Sequence, residues 1–245
     1  MRSLALAAAA SLSIVAIALA TPGCDPGEIT AVERGRELMD DPDVSPSSLN
    51  HFACTTCHAL TETQPATRRL AGYTLAGVAR RKTFYGGAED RLLDAINFCI
   101  VQYMRGVALT ETDANGRAMY EYLVSISPGP ITEGLPWTVI HVIPELTDPG
   151  DAARGKQLYD ATCRECHGDL HTARGALEPR ATRLPEEATS FYDANFPGIK
   201  HRTIVTEKLR NGGFFGIGGQ MPPYGAELLT DAEIVDLYAY IGLPP

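Results

Sequence analysis

Over 245 residues the chain carries 30 Asp and Glu against 21 Lys and Arg, a formal charge of −9. Such a surface repels phosphate backbones, which excludes nucleic acid as a partner and favours basic proteins. The length fits two domains of about 100 residues each once an export segment is set aside.

That segment comes first. Arg2 supplies the positive start, residues 3–20 are apolar or small, and Ala18-Leu19-Ala20 forms an A-x-A cleavage signal. A spanning helix needs about 20 strongly apolar residues, and this run is short and rich in alanine. Thr21-Pro22-Gly23-Cys24 also resembles a bacterial lipoprotein cleavage site, with Thr21 where a leucine is usual. On that reading residues 1–23 are a signal peptide and Cys24 is a lipid tether. On the other, cleavage follows Ala20, and Cys24 is a spare thiol or the disulfide partner of Cys99.

A repeat follows. Arg34-Gly35-Arg36-Glu37-Leu38 corresponds to Arg154-Gly155-Lys156-Gln157-Leu158, and both read as short helices. The first copy then has a loop over residues 40–53, rich in Asp, Pro and Ser. Each copy reaches a C-x-x-C-H pentapeptide, Cys54-Thr-Thr-Cys57-His58 and Cys163-Arg-Glu-Cys166-His167. This is the attachment signature of a c-type haem. Two intervening residues let both thiols reach one porphyrin edge, and the adjacent His lies beneath the ring. A single C-x-x-C would also suit a redox dithiol or half a zinc site, but no further C-x-x-C pair completes one. Two covalently bound haem c groups are therefore expected, with His58 and His167 as proximal ligands.

Between the first motif and its terminal helix, the loops 72–77 and 84–87 should lie against the haem, with Tyr73 and Tyr85 as candidates for its propionates. Residues 90–106 read as a helix running into a turn, with Leu92, Leu93, Ile96, Ile100 and Tyr103 on one apolar face. Helices close each copy over 116–126 and 231–241, the second with Thr230 as N-cap and an acidic first turn. Residues 127–136 read as a linker, and Trp137 to Ile143 as a short strand or extended segment between domains. His141 within it reads as a core or interface residue. Ahead of the last helix stands Gln220-Met221-Pro222-Pro223.

The order of short helix, C-x-x-C-H, loops and terminal helix resembles the class I cytochrome c fold, twice over. That resemblance implies an all-α protein of two tandem cytochrome c domains, 24–128 and 150–245, joined by a linker at 129–149. It places Gly35 and Gly155 at close crossings of first and last helices, against Tyr120 or Tyr122 and Tyr238 or Tyr240. It makes Met221 the distal thioether of the second haem, with Lys208 a lesser rival read as solvated. For the first haem two ligands stand open. Counting back from the terminal helix, Met104 matches Met221. The run from Asn97 to Gly106 instead resembles the haem-ligating segment of thiosulfate dehydrogenases, in which Cys99 would be a displaceable thiolate ligand. Arg105 or Arg80-Arg81-Lys82 would then steady the thiolate or hold an anion. The expected function is a diheme electron carrier of the periplasm or cell envelope, exchanging electrons with redox proteins. The alternative is a sulfur-compound oxidoreductase with the first haem as its catalytic centre. A diheme peroxidase is weaker, with His201 its sole late histidine.

Overall fold

The computed structural model describes residues 29–215 and 219–245. The targeting segment and Cys24 lie outside them. Among the described residues the regular structure is helical, as expected, and no strand forms.

Helix α1 (Ala31–Asp40) starts at Thr30, whose hydroxyl accepts from the Glu33 N–H while the Glu33 carboxylate accepts from the Thr30 N–H. A one-turn α2 (Cys54–Cys57) holds the first motif. Then come α3 (Leu92–Gln102) and α4 (Ala114–Ser125), the latter capped by Asp113. The second half repeats the plan with α5 (Ala152–Thr162), α6 (Arg164–His167) and, last, α9 (Asp231–Ile241). The cap of α9 is the Thr230–Glu233 counterpart of that on α1, each such cap contributing about 1 kcal/mol. Helices α7 (Glu186–Asn195) and α8 (His201–Asn211) sit between motif and last helix. They enclose an aromatic group of Phe191, Tyr192, Phe196 and Phe214.

Each half is held by its first helix crossing its last, α1 on α4 and α5 on α9. The crossings are so close that they need glycine. A Cβ on Gly35 would overlap the Ala118 carbonyl and stand 2.6 Å from Tyr122 Cβ. A Cβ on Gly155 would overlap the Asp236 carbonyl and stand 2.8 Å from Tyr240 Cβ. Tyr122 and Tyr240 are thus the crossing tyrosines, while Tyr120 is 52 % exposed. Arg154 locks the second crossing through two bonds to the Asp236 carboxylate, at 2.7 and 2.9 Å. Gly155→Val should lower stability by about 3 kcal/mol, because its methyls meet backbone that cannot rotate away. A denaturant midpoint unchanged from wild type would refute this packing.

The connecting segment is bound on both sides. Thr132 exchanges backbone hydrogen bonds with Arg80 and Lys82, Tyr73 donates to the Pro136 carbonyl at 2.7 Å, and the Thr138 N–H donates to Glu227 at 3.0 Å. Trp137 packs on Gly86 and Gly225. The strand considered for 137–143 is absent. Val139 and Val142 point to solvent, and His141 is exposed rather than buried at an interface.

Candidate functional site

Each half encloses a cavity beside its motif. The first has about 1300 Å³ of free space including its mouth, and Cys54, Cys57, His58, Cys99 and Met104 line it. The second has about 720 Å³ and is lined by Cys163, His167, Lys208 and Met221. Cofactor pockets typically run to about 300–1,000 Å³, so both have the size for a large planar group.

The residues present fit a covalently held haem. His58 Nδ1 lies 2.7 Å from the Tyr73 carbonyl, which leaves Nε2 free for iron and fixes the ring. His167 Nδ1 makes a longer contact, 3.4 Å, with the Thr182 carbonyl. Burial lowers the pKa of both imidazoles, so both are neutral, the form that binds metal. Gly72 makes room for the first ring: a Cβ there would overlap it, standing 2.8 Å from Nε2. Redox dithiols have lowered thiol pKa values. Here burial pushes Cys54 and Cys163 up to about 12, the opposite tuning. Among the described residues no group of three or more His, Cys, Asp or Glu converges as zinc would require.

Arg81 also lines the first cavity, its guanidinium donating to the Thr74 carbonyl at 2.6 Å and the Ala76 carbonyl at 3.3 Å. Among the described residues no carboxylate pairs with it, so its charge is available to a haem propionate. Arg80 and Lys82 are taken up elsewhere, by the Ser127 carbonyl and Glu133. Tyr73 and Tyr85, both considered for propionates, have other partners. Tyr73 binds Pro136. The Tyr85 hydroxyl lies 2.9 Å from Cys99 Sγ. Burial raises the Cys99 pKa, and the Tyr85 hydrogen bond acts against that rise.

Exposure separates the two candidate distal residues of the first cavity. Cys99 is deep in the fold yet keeps accessible surface, and that surface faces the cavity; His58, Cys54 and Cys57 behave alike. Met104 is 4 % exposed and packs into the core with Leu38, Met39 and Met119.

In the second cavity Met221 keeps accessible surface, and its loop is strongly held. Gly212, in the left-handed conformation at φ +72°, lets the Met221 carbonyl approach within what would be 2.5 Å of a Cβ. The fully buried Arg210 guanidinium donates to the Tyr224 carbonyl at 3.0 Å and the Leu229 carbonyl at 2.6 Å. Lys208 is not solvated as expected. Its ammonium donates to the Gly212 carbonyl at 2.8 Å and lies 4.4 Å from the centre of the Phe214 ring. Burial, reinforced by Arg105, lowers its pKa to about 8. His201 bonds Asp193 and lines neither cavity.

The motifs themselves meet. Arg68 donates to the Thr56 carbonyl at 3.1 Å, inside the first C-x-x-C, and pairs with Glu165, inside the second. Cys166 packs on the core of the first half, and Ala71 belongs to that of the second. Sequence reading singles out neither Arg68 nor Arg210, while Gly72 opens the 72–77 loop expected beside the haem and stands against the His58 ring.

The family described as cytochrome C oxidase, cbb3-type, subunit III matches residues 150–241. Cytochrome c-554(547) of Halothiobacillus neapolitanus is 33 % identical over 95 residues, which cover 38 % of this chain and 94 % of that protein. The chain belongs to the c-type cytochromes. Cytochrome c-555 of Chlorobaculum tepidum is 30 % identical over 37 % of the chain and 74 % of its own length. The CcoP subunit of an Azospirillum cbb3-type oxidase is 33 % identical over 97 residues, and the match covers 40 % of the chain but only 30 % of CcoP. A solved thiosulfate dehydrogenase (TsdBA) from Marichromatium purpuratum aligns over 86 % of the chain and 45 % of its own at 18 % identity and TM-score 0.42. At that level the likeness says nothing of chemistry. Membership of the c-type cytochromes brings covalently bound haem c and makes the chain a haem-based electron carrier.

Proposed function

We propose that this cytochrome is a diheme carrier of the periplasm or cell envelope, with one haem c in each cavity and electrons passing between the two. The observation that carries this reading is the pairing of two cavities, each with its own C-x-x-C-H and a distal sulfur, whose attachment turns are bridged by Arg68. Cys54 and Cys57 would form thioethers in the first half, and Cys163 and Cys166 in the second, with His58 and His167 as proximal ligands. When bound, each haem supplies a one-electron couple.

The chain's own groups set the conditions for that couple. Met221 is a soft, neutral donor that favours the reduced iron. Lys208 is charged at neutral pH and engaged with Gly212 and Phe214, so Met221 is the better ligand. Prolines 222 and 223 stiffen the loop and limit its movement. The acidic surface suits a basic redox partner, and Cys24 would tether the chain to a membrane. Among the described residues no helix is long and apolar enough to cross one. The domains are taken as 24–128 and 150–245.

A second reading rests on Cys99 facing the first cavity with Tyr85 as hydrogen-bond partner. A thiolate there would lower the potential, and its displacement would open a position for a sulfur compound, as in an oxidoreductase of the thiosulfate dehydrogenase type.

Expression in a host competent for cytochrome maturation tests the first reading. The holoprotein should carry two porphyrins by mass and titrate in two one-electron waves. A colourless product, or a single wave from a single porphyrin, would overturn it.

A further inference from the structure

The residues on either side of Met104 bind the two residues just before Met221. Gln220 spends both amide hydrogens across the halves, on the Tyr103 carbonyl at 2.9 Å and the Leu49 carbonyl at 2.9 Å. Its amide oxygen accepts from Arg180, which also donates to the Leu49 carbonyl and is steadied by Glu178 at 2.9 Å. Arg105 donates to the Gly219 carbonyl at 3.0 Å. Tyr103 and Met104 in turn give their N–H groups to the Cys99 carbonyl, at 3.0 and 3.1 Å. The strip that follows is a shared wall: Met221 lines the second cavity, and Pro222 and Pro223 line the first.

We propose that Gln220 is a positioning residue that fastens the two distal segments into one unit, so that a change of distal ligand in the first cavity alters ligation by Met221 in the second. The proposal rests on the two-haem reading with Cys99 as the distal ligand of the first haem, which the ferric spectrum of that haem in Cys99→Ala checks separately. Its physical basis is short and direct. From Cys99 the connection runs through one backbone hydrogen bond to Tyr103, through one side chain to Gln220, and through one peptide bond to Met221. The prolines beyond have fixed φ and little freedom to absorb a displacement. Gln220's acceptors on the first half are backbone carbonyls, which substitution leaves in place, so Gln220→Ala removes that link and leaves only the Arg105 bond to the Gly219 carbonyl beside it. Coupling between sites is a free energy that a mutant cycle measures.

The test is such a cycle in holoprotein, combining Cys99→Ala with Gln220→Ala and reading the midpoint potential and methionine–iron charge-transfer band of the second haem. Cys99→Ala alone should shift both. In the Gln220→Ala background the same change should shift both by less than half as much, the remainder passing through Arg105 and Gly219. Gln220→Glu keeps the length but loses the amide donors, and it should behave as Gln220→Ala does. It also serves if the alanine variant fails to mature. Equal shifts in both backgrounds, or no shift at the second haem when Cys99 is replaced, would overturn the proposal. Porphyrin mass separates the two ways of failing. Two porphyrins with additive shifts defeat the coupling alone, whereas fewer than two in the wild-type protein defeat the diheme reading beneath it.

Discussion

Cys54→Ala/Cys57→Ala protein should emerge from a maturation-competent host one porphyrin lighter than wild type, with its first half no longer cooperatively folded. The cavity beside these residues is the larger of the two, and its walls include the core side chains Met39, Ile100, Met119 and Leu123. Unfilled space in a core costs about 24 cal/mol per Å³. A few hundred Å³ left vacant would therefore cost about as much as the ~5–15 kcal/mol that holds a whole domain together. Helices α1 and α4 would keep their crossing at Gly35, but the loops between them pack on what fills the cavity. Hydrogen exchange should show loss of protection in residues 50–110 before α5 and α9 are affected. A double variant that kept two porphyrins, or melted with wild-type cooperativity, would remove the basis for treating this space as a haem site.

How far the sequence reached depended on the range of the forces involved. The haem motifs, the terminal helices and the Thr230 cap were readable because each is a local pattern, closed within a few residues. Gly35 and Gly155 were readable because their positions repeat. Placement decided by distant partners was not. Lys208 looks like any surface lysine until Gly212 and Phe214 fold around it. Tyr85 looks like a propionate contact until α3 brings Cys99 beneath its hydroxyl. Nothing near Arg68 in sequence hints that Glu165 of the other motif is its partner. The neighbours of His141 carry β-branched character, yet among the described residues no strand pairs with them, so the segment stays irregular, with Val139, His141 and Val142 exposed. The alignment that paired Met104 with Met221 counted residues along the chain. Counting cannot weigh Met104 against Cys99: both line the first cavity, Met104 at 4 % exposed and packed against the core, Cys99 with more of its surface open.

That difference leads to the second large expected effect. Cys99→Ala should convert the ferric spectrum of the first haem from a thiolate-type low-spin signal to high spin, and Met104→Leu should leave it unchanged. The geometry makes the pair a fair comparison. Met to Leu conserves volume and costs under about 1.5 kcal/mol in a core, so Met104→Leu tests ligation without collapse. Cys to Ala removes one sulfur from a residue whose hydrogen-bond partner, Tyr85, also reaches the Ala95 carbonyl at 3.3 Å and so is not stranded. Tyr85→Phe supplies the intermediate case. Losing a hydrogen bond to a charged acceptor costs about 1.5–3 kcal/mol, so a thiolate at Cys99 would become a stronger donor to iron and the potential of the first haem would fall. A neutral thiol uninvolved in ligation would leave that potential where it was. If Met104→Leu abolishes a methionine–iron charge-transfer band at the first haem while Cys99→Ala and Tyr85→Phe are silent, the ligand is Met104. The first haem is then a plain electron-transfer centre, and the sulfur-compound oxidoreductase loses the open position its chemistry needs.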